Sequence, residues 1–572
     1  MTQPPRKPSA LLPIILVIVA PLVALWPVVS AEFIPLDDPH NVSRNPDFNP
    51  PQLRNVGRYW TGSFHNMYAP LTYTTWAGLA RLAWMDGPDA AGNRLNPYVF
   101  HAANLFVHVA NAALVFLLLR RLTAPAWAAC AGALLFALHP IQVETVAWVT
   151  CLRDLLAAAF ALAALLAYVS HAGSTDRRRA ARSYALACLL LAAALLCKPI
   201  AVVVPLVAAA IDLGVLRRPL RSVAAAAGGL MLVVVPAAIV AKLVQSGESI
   251  FDAPPWLRPL VAADAIGFYM YKLFLPIELS MDYGRTPQWL LAQPAKWLAL
   301  FVPIALAAIA WRRWRRQDWR VVAGVAIFVA SLLPVLGLTR FDFQHHSTVA
   351  DRYAYLPMLG PALILAFAVR RAGTPVAASI GVVLLLLAAR SHVQSRQWKD
   401  GSSIYLATLA VNPNSILANN GMGLLMGGRP EAEGYFLRAL QTRDDPVTAF
   451  NLGNWYLRKD RPADAVPWYR IAAERRRDPQ VVANLASALV RSGAPGEAEA
   501  VLVEALRASP DSAELHANLA AVLARRGDRA GAAERYREAL RLDPNLAIAA
   551  EELARLDRAP ATTSITTTSP SN

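Results

Sequence analysis

The segment ALLPIILVIVAPLVALWPVVS, residues 10–30, decides the fold class of this chain. It contains no charged residue, and it is long enough for an α-helix that crosses a bilayer, which needs about 20 residues. The 572-residue chain is 56% hydrophobic and only 16% charged, with a mean hydropathy of +0.36, which excludes a disordered or a simple cytosolic protein. Because the run leads into further apolar runs, we interpret it as a retained anchor and not as a cleaved signal.

The remaining apolar runs predict a polytopic membrane protein. Forty-two prolines and fifteen tryptophans agree with this class, since membrane helices tolerate proline and tryptophan collects at bilayer interfaces. We expect about eleven spans, each near the length that crosses a bilayer. They lie at approximately 10–30, 98–119, 125–143, 153–170, 181–197, 199–216, 222–244, 294–311, 321–338, 353–369 and 374–389.

Charge is distributed unevenly and predicts the orientation. Residues 401–572 carry 20 Lys+Arg and 20 Asp+Glu, so the whole net charge of +16 belongs to residues 1–400. Alternate connections there hold 18 cations: Arg6/Lys7, Arg120/Arg121, Arg177–Arg182, Arg217/Arg218/Arg221, Arg312–Arg320 and Arg370/Arg371. By the positive-inside rule this side is cytoplasmic. An odd number of spans then places the N-terminus in the cytoplasm and everything after about residue 390 outside, in the periplasm of a bacterial inner-membrane protein or an equivalent lumen.

The same asymmetry explains the basic pI near 10.0, so we expect no nucleic-acid partner. The four cysteines, Cys130, Cys151, Cys188 and Cys197, lie in or beside apolar segments without CxxC spacing. They are expected to be buried small hydrophobic residues.

The C-terminal part is a helical repeat. Small residues Gly453, Ala486 and Ala520 recur with spacings of 33 and 34 residues. Further small or hydrophobic positions repeat in the same register: Ala465, Ala498 and Ala532; Tyr469, Leu502 and Tyr536; Ala472, Ala505 and Ala539. This period is typical of tetratricopeptide (TPR) repeats, in which small residues allow paired helices to approach closely. A weaker unit contains Ala432, Phe436 and Ala439.

These patterns predict an all-α protein in which a transmembrane helical bundle precedes a TPR α-solenoid. The expected boundaries are 1–398 for the membrane domain, with a first outer loop at 31–97, and 399–558 for the solenoid. Residues 559–572, rich in Ser and Thr, are expected to be disordered. Since a TPR array presents a concave surface to polypeptides, chemistry is sought in the membrane half.

The first outer loop begins FIPLDDP, residues 33–39, and brings two adjacent carboxylates, Asp37 and Asp38, to the membrane exit. Charge near bilayer depth is costly, which favours a functional pair. A helix-capping pair after the span is the alternative.

Other polar groups in apolar surroundings are expected on the same side. They are His139, Glu144, Arg153, Asp154 and Lys198; Asp264, Lys272, Asp282, Tyr283 and Arg285; and His345, His346, Asp351, Arg352 and Tyr353. Together they offer carboxylates for base chemistry and cations for a phosphate. Arg153 and Asp154 as a local pair, and a snorkelling Lys198, are the structural alternatives.

In their order along the chain these features resemble the transmembrane-and-TPR-repeat O-mannosyltransferase family and its bacterial relatives. The segments that carry the resemblance are the acidic pair after the first span, HPIQVETVAW (139–148) leading to Arg153-Asp154, Lys198-Pro199, DYGR (282–285), DRYAYLP (351–357) and the fused repeats. One loop departs from the family pattern: where relatives often carry Tyr-Arg-Pro-Leu, this chain reads Tyr68-Ala69-Pro70-Leu71, and Arg58 is the candidate replacement cation.

The resemblance implies a GT-C-like fold and an inverting transfer of a mannose-like sugar from a polyprenyl-phosphate donor to Ser/Thr hydroxyls of a protein held by the repeats. It implies Asp37 as the base and Asp38 as the residue that orients it. Lys198, Arg352, Arg153 and Arg285 are the candidate phosphate-binding cations. His139, Glu144, Asp351 and Tyr353 are expected to contact the acceptor or sugar, or to be structural. No cofactor and no metal are expected, although Asp37, Asp38 and His345 or His346 offer metal-ligand atoms.

Two other functions stay open on the sequence. A membrane-anchored TPR scaffold for envelope proteins needs far fewer spans than this chain has. A lipid-linked oligosaccharide ligase or polymerase would depend on a large arginine-rich outer loop and not on an acidic pair. The transferase predicts a cavity lined by Asp37, Lys198 and Arg352, whereas a scaffold predicts that these side chains lie apart.

Overall fold

The computed structural model describes residues 10–89, 92–123, 125–244, 253–475 and 478–558. Arg6, Lys7 and the Ser/Thr-rich tail at 559–572 therefore lie outside the described residues. Within these ranges the chain is all-α, with isolated β-bridges but no named strand. It divides into two compact units, Met1–Ser415 and Ile416–Asn572, whereas the sequence placed the boundary between 398 and 399.

The first unit contains helices of membrane-spanning length. Among the described residues, eight are apolar and at least 18 residues long: Leu11–Ser30, Pro97–Thr123, Val149–Ala172, Arg177–Cys197, Pro199–Leu216, Leu220–Val244, Pro294–Arg315 and Thr374–Arg396. A further pair, Ala126–Leu138 and Pro140–Ala147, bends by 52° and forms a ninth span if it is counted as one element. Pro140 explains the bend, since proline lacks the N–H that would continue the helix.

The nine spans lie at the lower end of the expected eleven, give or take two, and two of the expected runs form shorter helices in the described residues. The runs at 321–338 and 353–369 form shorter apolar helices, Trp319–Val335 and Leu359–Val369. Pro334 lies in the 3₁₀ turn that ends the first of them, and Arg370 and Arg371 follow the second. Proline and charge thus make both helices shorter than the spans named above.

Shorter helices fill the connections of this unit. The α-helices are Arg58–Thr61, Pro70–Ala83, Arg258–Phe274, Pro287–Leu291 and Gly401–Val411. The 3₁₀ helices that bear on the site are Leu53–Gly57, Asp342–His345 and Asp351–Ala354, and a π-helical turn covers Pro39–Ser43. Gly401–Val411 packs onto the start of the first outer loop, because the hydroxyl of Tyr405 donates to the carbonyl of Pro35 at 3.0 Å.

Small residues set the closest helix contacts of the bundle. A Cβ added to Gly360 would overlap the carbonyl oxygen of Gly324, and one added to Gly132 would overlap the carbonyl of Ala362. Membrane helices without a hydrophobic driving force between them use such small residues to bring their backbones together. These contacts hold the helix Leu359–Val369 against two neighbouring elements.

The first outer loop has its own aromatic core. Tyr59 and Tyr73 stack in parallel with ring centroids 4.3 Å apart, and Trp76 packs edge-on against Tyr73 at 5.1 Å. All three rings are buried. The first outer loop is therefore folded around an aromatic core, and it carries the acidic pair Asp37 and Asp38.

The second unit is a stack of helix pairs. Its helices are Ile416–Met426, Glu431–Thr442, Pro446–Arg458, Pro462–Arg475, Pro479–Arg491, Pro495–Ala508, Ala513–Arg525, Arg529–Leu542 and Ala547–Arg558. The repeat positions identified in the sequence are buried where the helices of a pair meet: Ala465, Ala498 and Ala532 are each fully buried. Gly453 faces the ring of Tyr469, where an added Cβ would lie 2.8 Å from a ring carbon. The predicted TPR α-solenoid is thus confirmed.

Candidate active site

Asp38 fastens the first outer loop to the turn before the span Val149–Ala172. One carboxylate oxygen accepts from the Ile34 N–H at 2.8 Å and the other from the Thr150 N–H at 3.2 Å. Burial raises the pKa of Asp38 to about 7, against the lowering effect of the Ile34 hydrogen bond, and the neighbouring Asp37 charge adds a smaller upward contribution. One main-chain bond from within the loop and one from a segment 112 residues away suit a positioning side chain.

Asp37 has a different environment from its neighbour. Its side chain is 50% exposed, and the nearest guanidinium nitrogen of Arg153 lies 3.9 Å from its carboxylate. The backbone carbonyl of Asp37 accepts from both the N–H and the side-chain amide of Asn41, at 3.0 and 2.9 Å. A fixed backbone thus presents an accessible carboxylate, as a general base requires.

Arg153 is held beside Asp37 by contacts on three sides. Its Nε donates to the carbonyl of Thr150 at 3.1 Å, and Nη1 lies 3.0 Å from Sδ of Met67. The guanidinium also lies 5.9 Å from the ring centroid of Trp76. Arg153 therefore links the outer loop to the start of the span Val149–Ala172 and supplies positive charge near Asp37.

Asp154, the next residue, forms a two-point ion pair with Lys198. The Lys198 ammonium donates to both carboxylate oxygens, at 2.7 and 2.8 Å. The Asp154 side chain is 6% exposed and the Lys198 side chain is 18% exposed. Lys198 directly follows the helix Arg177–Cys197, which Pro199 prevents from continuing. The end of this helix therefore places the Lys198 ammonium beside Asp154. The local Arg153–Asp154 pair considered from sequence is replaced by this longer-range one.

A second buried ion pair joins Arg352 to Glu144. The Arg352 guanidinium bonds one carboxylate oxygen of Glu144, and the Arg352 main-chain N–H donates to the other at 3.3 Å. Aromatic rings surround the guanidinium, with centroids 4.2 Å away for Phe343, 4.9 Å for Tyr353 and 5.4 Å for Trp148. The charge is thus oriented by one carboxylate and enclosed by rings.

A small, partly open cavity of about 20 Å³ is lined by one member of each ion pair. Its lining joins polar groups to an apolar wall: Asp154, Arg352, Tyr353, Tyr355, Ala157, Ala158, Ala161, Ile200, Ala201, Leu356 and Pro357. Of the three residues expected to line it, only Arg352 does so; Lys198 is outside the lining and pairs with the lining residue Asp154. Asp37 is not among the lining residues and is connected to them through Arg153.

Arg285 and Asp351 belong to a neighbouring network. Arg285 forms a two-point ion pair with Asp264, and its guanidinium lies 5.0 Å from the ring centroid of Trp289. Asp351 is buried and accepts from the hydroxyl of Tyr283 at 2.7 Å. Neither residue lines the cavity, so the structure separates Arg285 from Arg352 and Lys198.

The remaining polar candidates occupy structural positions. His139 caps the turn after the helix Ala126–Leu138, with Nδ1 accepting from the Ile141 N–H at 3.3 Å and Nε2 lying 3.1 Å from the Leu273 carbonyl. The Lys272 ammonium donates to the carbonyls of Ile277 and Glu278. Asp282 accepts from the Ser415 hydroxyl at 2.7 Å.

Arg58 and the two adjacent histidines bear on the ligand expectations. Arg58 pairs with Asp47 at 2.5 Å within the outer-loop core. The rings of His345 and His346 lie 4.0 Å apart. Among the described residues, no three His, Cys, Asp or Glu side chains are grouped closely enough to hold a metal ion.

A polar stripe along the span Pro97–Thr123 escaped the sequence analysis. Its members are His101, Asn104, His108 and Asn111, all fully buried. They bond to carbonyls where neighbouring helices break: the Asn104 amide donates to the carbonyl of Trp148 at 2.8 Å, and His108 Nε2 lies 3.1 Å from that of Ala137. The Tyr355 hydroxyl, at the cavity, lies 2.8 Å from His108 Nδ1 and accepts from Asn111 at 3.1 Å. Spacings of three and four residues on one helix face were the available signal.

Family models match the second unit at two places. Tetratricopeptide-repeat models cover residues 448–483 and 513–546. The solved structure of YrrB, described as a TPR protein with an unusual peptide-binding site, is 20% identical and covers 27% of this chain and 81% of its own. Its TM-score of 0.25 is too low to support an argument.

Curated relatives match a larger part of the chain. Mouse protein O-mannosyl-transferase TMTC3 is 24% identical over 458 residues, which are 71% of this chain and 48% of the relative. Drosophila melanogaster protein O-mannosyl-transferase Tmtc2 is 33% identical over 248 residues, 40% of this chain and 26% of the relative. The chain thus spans at most about half the length of these two relatives. The resemblance found in the sequence motifs is confirmed: the chain is similar to the TMTC-type protein O-mannosyl-transferases.

Proposed function

We propose that this chain is an integral-membrane inverting glycosyltransferase that moves a mannose-like sugar from a polyprenyl-phosphate donor to Ser or Thr hydroxyls of a protein. The observation that carries the proposal is the accessible Asp37 carboxylate beside Arg153. The residue after Arg153, Asp154, lines the cavity that has both polar and apolar walls. The names of the curated relatives support the transfer of mannose to protein. The lipid-phosphate donor is proposed from the chemistry of the site.

Asp37 acts as the base in this proposal. A Ser or Thr hydroxyl is a weak nucleophile, so a carboxylate takes its proton as the oxygen attacks the anomeric carbon. The C–O bond to the donor phosphate breaks as the new C–O bond forms, and the electron pair leaves with the phosphate. One displacement inverts the anomeric centre. Asp38 holds the loop in place through its bonds to Ile34 and Thr150.

Arg352 and Lys198 stabilise the leaving phosphate. Arg352 lines the cavity, and its Glu144 bond fixes the guanidinium so that donors on its other side remain for phosphate oxygens. Lys198 contributes charge through its pair with Asp154, and Arg153 lies nearer the base. Arg285, bound to Asp264, has at most a long-range effect in this arrangement. The alanines and Ile200 give the isoprenoid chain an apolar wall.

The TPR unit holds the acceptor polypeptide, and both the outer loop and the repeats face the extracytoplasmic side. The basic connections of the membrane unit support this orientation through the positive-inside rule. No cofactor is assigned a role, because the donor phosphate is itself the leaving group.

Replacement of Asp37 tests the base assignment. Asp37→Asn should lower transfer from a polyprenyl-phosphate sugar to peptide by roughly 10²–10⁴-fold, the usual contribution of a general base. Glycosylated peptide is measured by mass spectrometry with the purified full chain. Asp86→Asn, an exposed carboxylate in the same outer loop, is the matched control and should keep full activity. Full activity of Asp37→Asn would exclude Asp37 as the base, and an inactive parent with every donor supplied would favour a scaffold.

A further inference from the structure

The connection after the span Pro294–Arg315 exposes an unusual set of side chains. No residue in the apolar window of this span is buried within the structure, so the helix stands at the periphery of its unit. Five arginines lie in nine positions across its C-terminal end and the following connection: Arg312, Arg313, Arg315, Arg316 and Arg320. Residues 311–317 are all exposed. This density of cations at the end of a span is of the kind that attracts anionic lipid headgroups.

Tryptophans are interleaved with these arginines. Trp311 is 58% and Trp314 37% exposed, and their ring centroids lie 4.8 Å apart. Trp319 packs edge-on against Trp314 at 6.0 Å. Indole rings favour the headgroup depth of a bilayer, where the apolar ring and the N–H are both accommodated. The cluster therefore fixes the depth of its arginines at the headgroup layer.

A second connection contributes a cation to the same cluster. Arg217 has a φ of +59°, a left-handed conformation that is unfavourable for a residue with a side chain. In this conformation its guanidinium lies 4.5 Å from the ring centroid of Trp319. Two separate connections thus bring cations to the same group of tryptophans. The positive-inside rule requires basic residues on this side of the membrane, but it does not require that they meet.

Few carboxylates of the described residues neutralise these arginines. Asp318 pairs with Arg313 at 3.2 Å. Elsewhere in the part of the chain that the structure describes, no carboxylate lies within 4.0 Å of Arg312, Arg315 or Arg316. These guanidiniums keep their donors for an external anion, and phosphate suits their planar geometry.

We propose that Trp311, Trp314 and Trp319, with Arg217 and the arginines at 312–316, form a binding site for the phosphate headgroups of anionic phospholipids. The lipid chains lie along the exposed face of Pro294–Arg315, and the headgroup phosphate bonds the guanidiniums. This site is on the basic side of the protein and is separate from the cavity that contains Arg352. The proposal is independent of the transferase activity.

The test uses the full chain in detergent and measures bound lipid by native mass spectrometry. The parent should bind phosphatidylglycerol at least about 25-fold more tightly than phosphatidylcholine, and R312Q/R316Q should lower this preference by about 25-fold, since each juxtamembrane arginine contributes about fivefold. R178Q/R179Q is the matched control, because these exposed arginines lie in another basic connection with no aromatic residue between 173 and 182. It should keep the preference.

Further arms separate the alternatives. Inorganic phosphate at millimolar concentration should fail to displace the lipid; displacement would show an anion site without lipid specificity and overturn the proposal. Retention of the preference in R312Q/R316Q, or an equal loss in R178Q/R179Q, would also overturn it. Trp314→Ala provides a second variant that leaves the charge unchanged, and it should weaken phosphatidylglycerol binding by several fold.

Discussion

The adjacent residues Asp37 and Asp38 have different environments. Both follow the first span, but Asp38 is buried on two main-chain N–H groups and Asp37 is half exposed beside Arg153. The sequence indicated an important acidic pair, yet it could not say which member reaches solvent. That assignment depends on Thr150, which is 112 residues away in the chain. Local sequence carries no information on such a partner.

The raised pKa of Asp38 predicts a pH-dependent stability. An acid whose pKa is about 7 when folded and 3.8 otherwise contributes its full stabilisation below about pH 3.8. This stabilisation declines as the pH rises and is lost above about 7. The melting temperature of the parent should therefore fall relative to that of Asp38→Asn between pH 4 and pH 7, measured by thermal unfolding of the full chain in detergent.

Asp86→Asn is the control for this measurement, since Asp86 is exposed in the same outer loop and its replacement should leave the pH profile unchanged. A difference between the parent and Asp38→Asn that stays constant over this range would contradict the buried position of Asp38.

At the scale of helices, the repeat pattern was more informative than span length. The period of 33 and 34 residues located the buried small positions, because each repeat must bury the same helix contact. The apolar runs located helices, but those at 321–338 and 353–369 form shorter helices than the runs predicted. Average hydropathy does not show where a proline or a charged pair ends a helix. The sequence therefore predicted that these two segments are helical, but it did not predict the lengths of the helices.

Gly453 tests the helix contact within one repeat. Gly453→Ala should lower the free energy of unfolding of the TPR unit by about 1–3 kcal/mol, because the new methyl would press on the ring of Tyr469. Thermal unfolding of the full chain, read by proteolysis of the repeat region, measures the loss. Gly496→Ala is matched to it, since nothing lies within 4 Å of its added Cβ, and it should be neutral or stabilising. Equal effects of both substitutions would remove the packing explanation.

At the scale of the whole molecule, the order of motifs predicted the family, and charge predicted the orientation. What the sequence left open was the pairing of distant ions. Glu144 with Arg352 and Asp154 with Lys198 join segments 208 and 44 residues apart. A list of cations and carboxylates allows many such pairings, and packing of the bundle selects among them.

The orientation has a direct labelling test. With the native cysteines replaced, single cysteines at Asp86 and Gly496 should react in intact cells with a maleimide that cannot cross the membrane. A cysteine at Ser174, in a basic connection, should react only after the membrane is opened. Labelling of Ser174→Cys alone in intact cells would reverse the proposed topology.

The polar stripe on Pro97–Thr123 has a consequence for biogenesis. During translation this segment enters the bilayer before Ala137, Trp148 and Tyr355, which later satisfy its side chains, have been synthesised. The imidazoles of His101 and His108 and the amides of Asn104 and Asn111 are therefore in the translocon or in contact with lipid before their final partners exist. Each interhelical bond of this kind contributes only about 0.6 kcal/mol, so late docking depends on many small gains. Nascent chains that stop short of residue 355 should be retained by insertion chaperones or degraded.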